Sequence, residues 1–188
     1  YLIYWRVNWR RPPFNHLSIR VERKKSEKKG TDPFCHRRRD KRPRSKIEMI
    51  YGDPFIFSIQ FDVVRDWTDS SCFWVNGLFS LFVGGERLLD VVDVVELKTA
   101  VNFYAKMEFE NIEEGDSAIS AKELFASAYR YFFKGESAIL EGVQDMSCTF
   151  LGDAGLFIYF QKTEHADRLV WSKDFGSLVH EALLPRGA

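Results

Sequence analysis

The strongest constraint on folding is a division of charge along this 188-residue chain. Residues 1–48 carry 16 Lys/Arg and 5 Asp/Glu, a net charge of +11, whereas residues 49–188 carry 11 Lys/Arg and 22 Asp/Glu, a net charge of −11. Opposite charge in two segments is typical of a tail joined to a domain. The 140 residues after the boundary are enough to bury a hydrophobic core.

The basic segment shows no sustained hydrophobic period, and the like charges in VERKKSEKKG (21–30) and CHRRRDKRPR (35–44) repel each other. Met49 is the first methionine of the sequence. We therefore predict that residues 1–48 are a basic, disordered tail or spurious upstream translation, and that residues 49–188 form a single domain. The alternative for the tail is a working basic arm that binds nucleic acid.

The acidic segment opens with strand patterns. Apolar residues recur at every second position from 55 to 63, which predicts a strand with one face toward a core. A second apolar run covers residues 72–83. Gly84-Gly85 then predicts a hairpin turn into a short strand at residues 86–89.

Two helices are predicted in the middle of the domain. The first starts near Asp93, where Asp93 and Glu96 resemble a capping box. The second starts after Ser120, which forms the same pattern with Glu123, and ends at Gly135.

Three further strands are predicted over residues 146–151, 156–161 and 168–172, followed by a short helix over residues 174–183. Strands and helices are segregated along the sequence rather than strictly alternating. This order favours an α+β fold, with an antiparallel sheet of about five to six strands, two central helices and a short C-terminal helix.

The sequence contains no recognisable catalytic or metal-binding motif. His180-Glu181 begins like a zinc-protease motif, but Leu184 stands where the second histidine is required. Gly84-Gly85 and the glycines at 152 and 155 lack the lysine of a phosphate-binding loop. Cys148 lies in an apolar run, where a thiol is usually buried and inert. We therefore predict no enzymatic activity, no cofactor and no metal.

The three cysteines are widely spaced, and neither a signal peptide nor an apolar run of roughly 20 residues is visible. These features predict a cytoplasmic protein without a membrane partner. An acidic domain would repel phosphates, so we do not expect residues 49–188 to bind nucleic acid.

Acidic residues are the remaining candidate for function. They are either a solvated surface or a negative patch that meets a basic partner. The candidate contact residues are Asp66, Asp69, Glu110, Glu113, Glu114 and Asp116. Five aromatic residues lie among these acids, and we expect most of them in the core: Trp67, Phe73, Trp74, Tyr104 and Phe109.

Three stretches of this sequence are similar to the immunity protein 42 family of bacterial polymorphic toxin systems. They are MIYGDPFIFSIQFDVV with the Trp67 that follows it, WVNGLFSLFVGGERL, and GLFIYF with DRLVWSKDFGSLVHEALLP. The resemblance spans most of residues 49–184. It implies a cytosolic protein that binds and blocks a cognate toxin domain without a reaction or a cofactor. The net charge of −11 would suit a basic toxin such as a nuclease.

Two alternatives of other classes stay open at this point. One is a small metal-dependent hydrolase or nuclease that uses paired acidic residues. The other is a nucleic-acid-binding adaptor that works through the basic N-terminal arm.

Overall fold

The computed structural model describes residues 2–7, 19–24, 47–68, 73–89, 93–136 and 141–187, with side chains from Met49 onward. The strands are β1 (Leu2–Val7), β2 (Ile19–Lys24), β3 (Ile47–Asp53), β4 (Phe57–Val63), β5 (Asn76–Val83), β6 (Glu86–Arg87), β7 (Val95–Glu96), β8 (Val143–Asp145), β9 (Phe157–Lys162), β10 (Asp167–Ser172) and β11 (His180–Leu184). The α-helices are α1 (Leu97–Tyr104), α2 (Ala121–Ala128) and α3 (Thr149–Asp153).

The strands pair antiparallel throughout the described ranges. The first sheet has the order β3-β4-β5-β6, with β7 also pairing to β5, and the second sheet has the order β11-β10-β9-β8. Strands β1 and β2 form a separate two-stranded sheet. The predicted α+β class with antiparallel strands is confirmed, although the strands of the acidic segment divide into two sheets.

The two larger sheets share one hydrophobic core. Ile59 and Phe61 of β4 belong to the same buried cluster as Ile158 and Phe160 of β9. Helix α1 contributes Tyr104, which is 3% exposed and donates a hydrogen bond from its hydroxyl to the carbonyl oxygen of Met146 over 3.1 Å.

Helix α2 covers the opposite face of the second sheet. Because successive strand residues point to opposite faces, Phe157 and Tyr159 lie on the side away from the shared core. There they form a second buried cluster with Leu124 and Phe125 of α2 and with Val170 of β10. The second sheet is therefore a middle layer between the first sheet and α2, which explains why five of the six residues in β9 are buried.

Two local predictions are confirmed in detail. Ser120 and Glu123 form a capping box at the start of α2, with the hydroxyl and the carboxylate each accepting from the other residue's backbone amide. Gly84 and Gly85, with φ of 60° and 86°, make the tight turn between β5 and β6.

The start of α1 differs from the prediction. Asp93 precedes the helix by several residues, and Glu96 is itself the N-cap, accepting hydrogen bonds from the amides of Lys98 and Thr99 over 3.3 and 2.7 Å. The reason is that Val95 and Glu96 first pair with β5 as strand β7, so the chain turns helical only after this pairing ends.

Two C-terminal predictions also differ from the structure. Residues 146–151 were expected to be a strand, but Cys148 is the N-cap of the short helix α3, whose Leu151 points into the core. Residues 174–183 were expected to be a helix. They instead form a tight turn and then strand β11, whose backbone pairs with β10.

The predicted domain boundary at residue 48 lies within strand β3, which begins at Ile47. Strands β1 and β2 belong to the segment interpreted as a tail, and much of that segment lies outside the described residues. The division into a tail and a domain stays a prediction.

Candidate functional site

Four of the six candidate contact residues lie in one loop between α1 and α2, which we call the acidic loop (residues 108–118). Glu110, Glu113, Glu114 and Asp116 are all exposed. The base of the loop is apolar, since the ring of Phe109 packs edge-on against Phe160 of the core with centroids 5.0 Å apart.

Backbone contacts fix the acidic loop against the end of the second sheet. The amide of Gly115 donates to the carbonyl oxygen of Lys162 over 2.9 Å. The amide of Lys162 donates to the carbonyl oxygen of Gly142 over 3.1 Å. Gly142 has φ of +71°, and a Cβ there would lie 2.4 Å from the nitrogen of Gly115. Only glycine permits this approach of the two segments.

Two cationic side chains, Lys162 and Arg186, form hydrogen bonds with the acidic loop. The ammonium of Lys162 donates to the carbonyl oxygens of Ile112 and Glu110 over 3.0 and 3.4 Å. The guanidinium of Arg186 donates to the carboxylate of Glu114. This hydrogen bond is the main reason that the pKa of Glu114 is lowered, so its carboxyl stays ionised in mildly acidic solution.

A polar network beneath the loop connects it to β10 and β11. The Arg168 side chain is 6% exposed and pairs with Glu181 of β11. Its guanidinium also donates to the carbonyl oxygen of Ile119 over 2.9 Å and to the side-chain oxygen of Gln161 over 3.2 Å. Gln161 in turn donates to the carbonyl oxygen of Asp116 over 3.0 Å. The acidic loop is therefore anchored at several points along its length.

The remaining two candidate residues are not in this loop. Asp66 is exposed in a 3₁₀ turn, Arg65–Trp67, in the connection after β4 of the first sheet. Asp69 lies outside the described residues. The structure thus brings together Glu110, Glu113, Glu114 and Asp116, while Asp66 belongs to a different connection.

The expectation that most of the neighbouring aromatic residues are in the core is wrong. Trp67, Phe73 and Trp74 are 43%, 68% and 54% exposed. Tyr104 is buried, and Phe109 is partly buried against the core.

Sequence reasoning missed a second exposed feature, which we call the aromatic patch (Phe133, Phe175 and Leu178). These residues are 59%, 62% and 59% exposed. Phe133 lies in a π-helical turn, Tyr129–Phe133, that continues α2, and the other two lie in the turn before β11. In the sequence all three fit the apolar faces of two predicted helices, a pattern that predicts burial rather than exposure.

The described part of the chain shows few groups suited to catalysis. No group of three or more His, Cys, Asp or Glu side chains there is arranged to hold a metal ion. Cys148 is buried, and burial raises the pKa of its thiol to about 12, so the thiol is protonated at neutral pH. None of the described helices combines the length and the apolar composition needed to cross a membrane.

Comparison with known proteins identifies similar sequences and folds. The model of the family described as Immunity protein 42 matches residues 49–188. Among solved structures, the crystal structure of CdiI from Burkholderia dolosa AUO158 is similar with a TM-score of 0.60 and 20% sequence identity, covering 74% of this chain and 92% of that chain. At this identity the likeness shows a shared fold. No curated protein matches this chain.

Proposed function

This chain belongs to the immunity protein 42 family and is a toxin-neutralising immunity protein, and we propose that it acts by binding its cognate toxin domain directly through the acidic loop. The resemblance noted in the sequence is confirmed over residues 49–188. We further propose that the protein works in the cytoplasm of the producing bacterium, catalyses no reaction and needs no cofactor.

The observation that carries the proposed binding site is the anchoring of the acidic loop. A loop that is already fixed loses little conformational freedom when a partner binds, so more of the contact energy appears as affinity. Its carboxylates are exposed while its backbone is hydrogen-bonded to β9. This combination supports the loop as a preformed contact surface for a basic partner.

The charge of the domain supports a basic toxin surface as the partner. Residues 49–188 carry a net charge of −11, and opposite potentials accelerate association and help to select the partner. A nuclease is a toxin class with such a surface, because it must attract phosphates. The proposed contacts are Asp66, Asp69, Glu110, Glu113, Glu114 and Asp116.

The test is co-expression of the full chain with the C-terminal toxin domain that we expect a neighbouring gene to encode. We expect the immunity protein to restore growth and to co-purify with the toxin as a one-to-one complex. The control is an unrelated toxin domain, against which no protection is expected. Continued growth arrest together with no detectable complex would contradict the proposed function.

A further inference from the structure

The turn before β11 holds an aromatic side chain outward in an unfavourable backbone conformation. Phe175 has φ of 59° and is the one non-glycine residue with positive φ among the described residues. This region is disfavoured for bulky side chains. The residue is nevertheless 62% exposed, so burial accounts for only part of the choice of phenylalanine at this position.

A dense set of hydrogen bonds fixes this turn. The buried hydroxyl of Ser172 donates to Asp174 over 2.6 Å and accepts from the amide of Gly176 over 2.9 Å. The same Asp174 carboxylate accepts from the amide of Leu178 over 2.9 Å. These hydrogen bonds lower the pKa of Asp174, with the amide of Leu178 as the largest cause. The turn is therefore built to keep Phe175 and Leu178 in fixed positions at the surface.

The π-helical turn after α2 completes the aromatic patch. Phe133 and Phe175 both contact Phe157 of β9, with ring centroids 5.0 and 5.7 Å apart respectively. Irregular π turns within helices occur frequently at functional sites. Aromatic residues, phenylalanine among them, are enriched in protein interfaces, and a rigid base lowers the entropic cost of binding through them.

The size and charge of the patch indicate which partner fits it. Its three exposed side chains offer roughly 350 Å² of surface, less than half of what each partner contributes to a stable interface. Arg130, Lys134 and Lys173 are exposed beside the patch, together with the acidic residues Glu136 and Asp174. The patch is too small to hold two copies together by itself, and the excess of cations around it opposes self-association.

Resting on the proposed function, we propose that the aromatic patch is the apolar anchor of the toxin-binding surface. Helix α2 begins next to the acidic loop, and its continuation ends at the patch after 13 residues, a distance of about 20 Å. One partner of standard interface size can cover both ends. In the complex, basic groups of the toxin would lie against the acidic loop. An apolar surface of the toxin, flanked by acidic groups of the toxin, would pack on the aromatic patch.

The test measures binding of the full chain to the purified C-terminal toxin domain from the neighbouring gene by surface plasmon resonance. Phe175→Gly removes the ring and permits the positive φ, and Leu178→Ser removes a second apolar contact without changing the backbone of Phe175. The matched control is Phe55→Ser, which removes an 81% exposed ring from the β3–β4 turn of the first sheet. Thermal unfolding and sedimentation are recorded for every variant.

We expect Phe175→Gly and Leu178→Ser each to weaken toxin binding about tenfold or more, mainly through faster dissociation. Phe55→Ser should bind as the wild type does, and the thermal midpoints of all three should stay within about 4 °C of the wild-type value. Unchanged binding by both patch variants would overturn this inference and leave the proposed function intact. A wild-type chain that does not bind the toxin would overturn both. A wild-type dimer that Phe175→Gly dissociates would assign the patch to a second copy and overturn the inference.

Discussion

The ammonium of Lys162 lies 3.0 Å from the carbonyl oxygen of Ile112 and connects the end of β9 to the acidic loop. A cation beneath a group of carboxylates offsets part of their mutual repulsion, so the loop can concentrate negative charge without unfolding locally. The position of the acidic charges therefore depends on a residue of the second sheet that the loop sequence does not contain.

Replacing Lys162 with methionine should loosen the acidic loop while the sheets stay folded. Met retains much of the aliphatic length but cannot donate to the carbonyl oxygens of Ile112 and Glu110. We expect amide hydrogen exchange across residues 109–116 to accelerate about tenfold. The control is Lys122→Met on the exposed surface of α2, which should leave this exchange unchanged. Equal protection in both variants would mean that the backbone contacts alone fix the loop.

Charge reversal of Glu113 should slow association with the toxin. Glu114 is paired with Arg186, so Glu113 is the cleaner probe of long-range attraction. We expect Glu113→Lys to lower the association rate constant about two- to fivefold at low salt, with a smaller effect at 0.5 M salt. Glu86→Lys in β6 makes the same charge change on the first sheet. If the two reversals slow association equally, net charge rather than the loop is responsible.

Removal of the buried guanidinium of Arg168 should destabilise the domain strongly. Arg168→Met leaves the side-chain oxygen of Gln161 and the carbonyl oxygen of Ile119 without this donor. We expect the free energy of unfolding to fall by about 2–4 kcal/mol in urea denaturation. Glu181→Gln should cost less than about 1 kcal/mol, because the Glu181 side chain is 39% exposed and is solvated in part. A smaller loss for Arg168→Met than for Glu181→Gln would contradict this order.

The N-cap of α1 should make stability depend on pH. Burial alone would raise the pKa of Glu96, but hydrogen bonds from Thr99, Val75 and Lys98 outweigh it and lower the pKa below the ordinary value of 4.5. The folded state then binds fewer protons than the unfolded state. The contribution of this carboxylate is complete above about pH 4.5 and is lost as the pH falls through the folded-state pKa.

We therefore expect Glu96→Ala to cost about 1 kcal/mol of unfolding free energy at pH 7 and less at pH 3. Urea denaturation of the wild type and the variant at both pH values measures the difference. Glu86→Ala, at an exposed strand position, is the control and should show little change at either pH. A cost that is the same at pH 3 and pH 7 would show that the ionised carboxylate is not the source of the cap's stabilisation.

Features that depend on neighbouring residues could be predicted from the sequence. The capping box of Ser120 and Glu123 spans four residues, and the turn at Gly84-Gly85 requires a positive φ that glycine supplies. The acidic residues of the loop were also identified correctly as exposed, because four carboxylates within seven residues cannot be buried together.

Features that depend on distant residues could not be predicted. The spacing of Phe175, Leu178 and Val179 fits one face of a helix, but the hydroxyl of Ser172 binds the amide of Gly176 and β11 pairs with β10. These tertiary contacts outweigh a helical pattern that is only ten residues long. In the same way, α3 is too short at five residues to show a period.

The contacts that anchor the acidic loop could not be predicted from the sequence either. Its partners, Lys162 and Arg186, follow the loop by about 50 and 70 residues. Charge counts predict that a surface is acidic, whereas the pairing of strands decides which cations are brought beneath it.

Because Cys148 is buried, alkylation of its thiol can be used to detect opening of the domain core. Its thiol is 2% exposed, lies 3.8 Å from the hydroxyl of Tyr104, and has a pKa raised to about 12 by burial. Alkylating reagents require an accessible thiolate, so they can modify Cys148 only in molecules whose core has separated. When reclosing is faster than alkylation, the rate at which mass spectrometry detects this modification reports the population of opened molecules. Toxin binding should then lower the rate exponentially with the free energy that the complex adds.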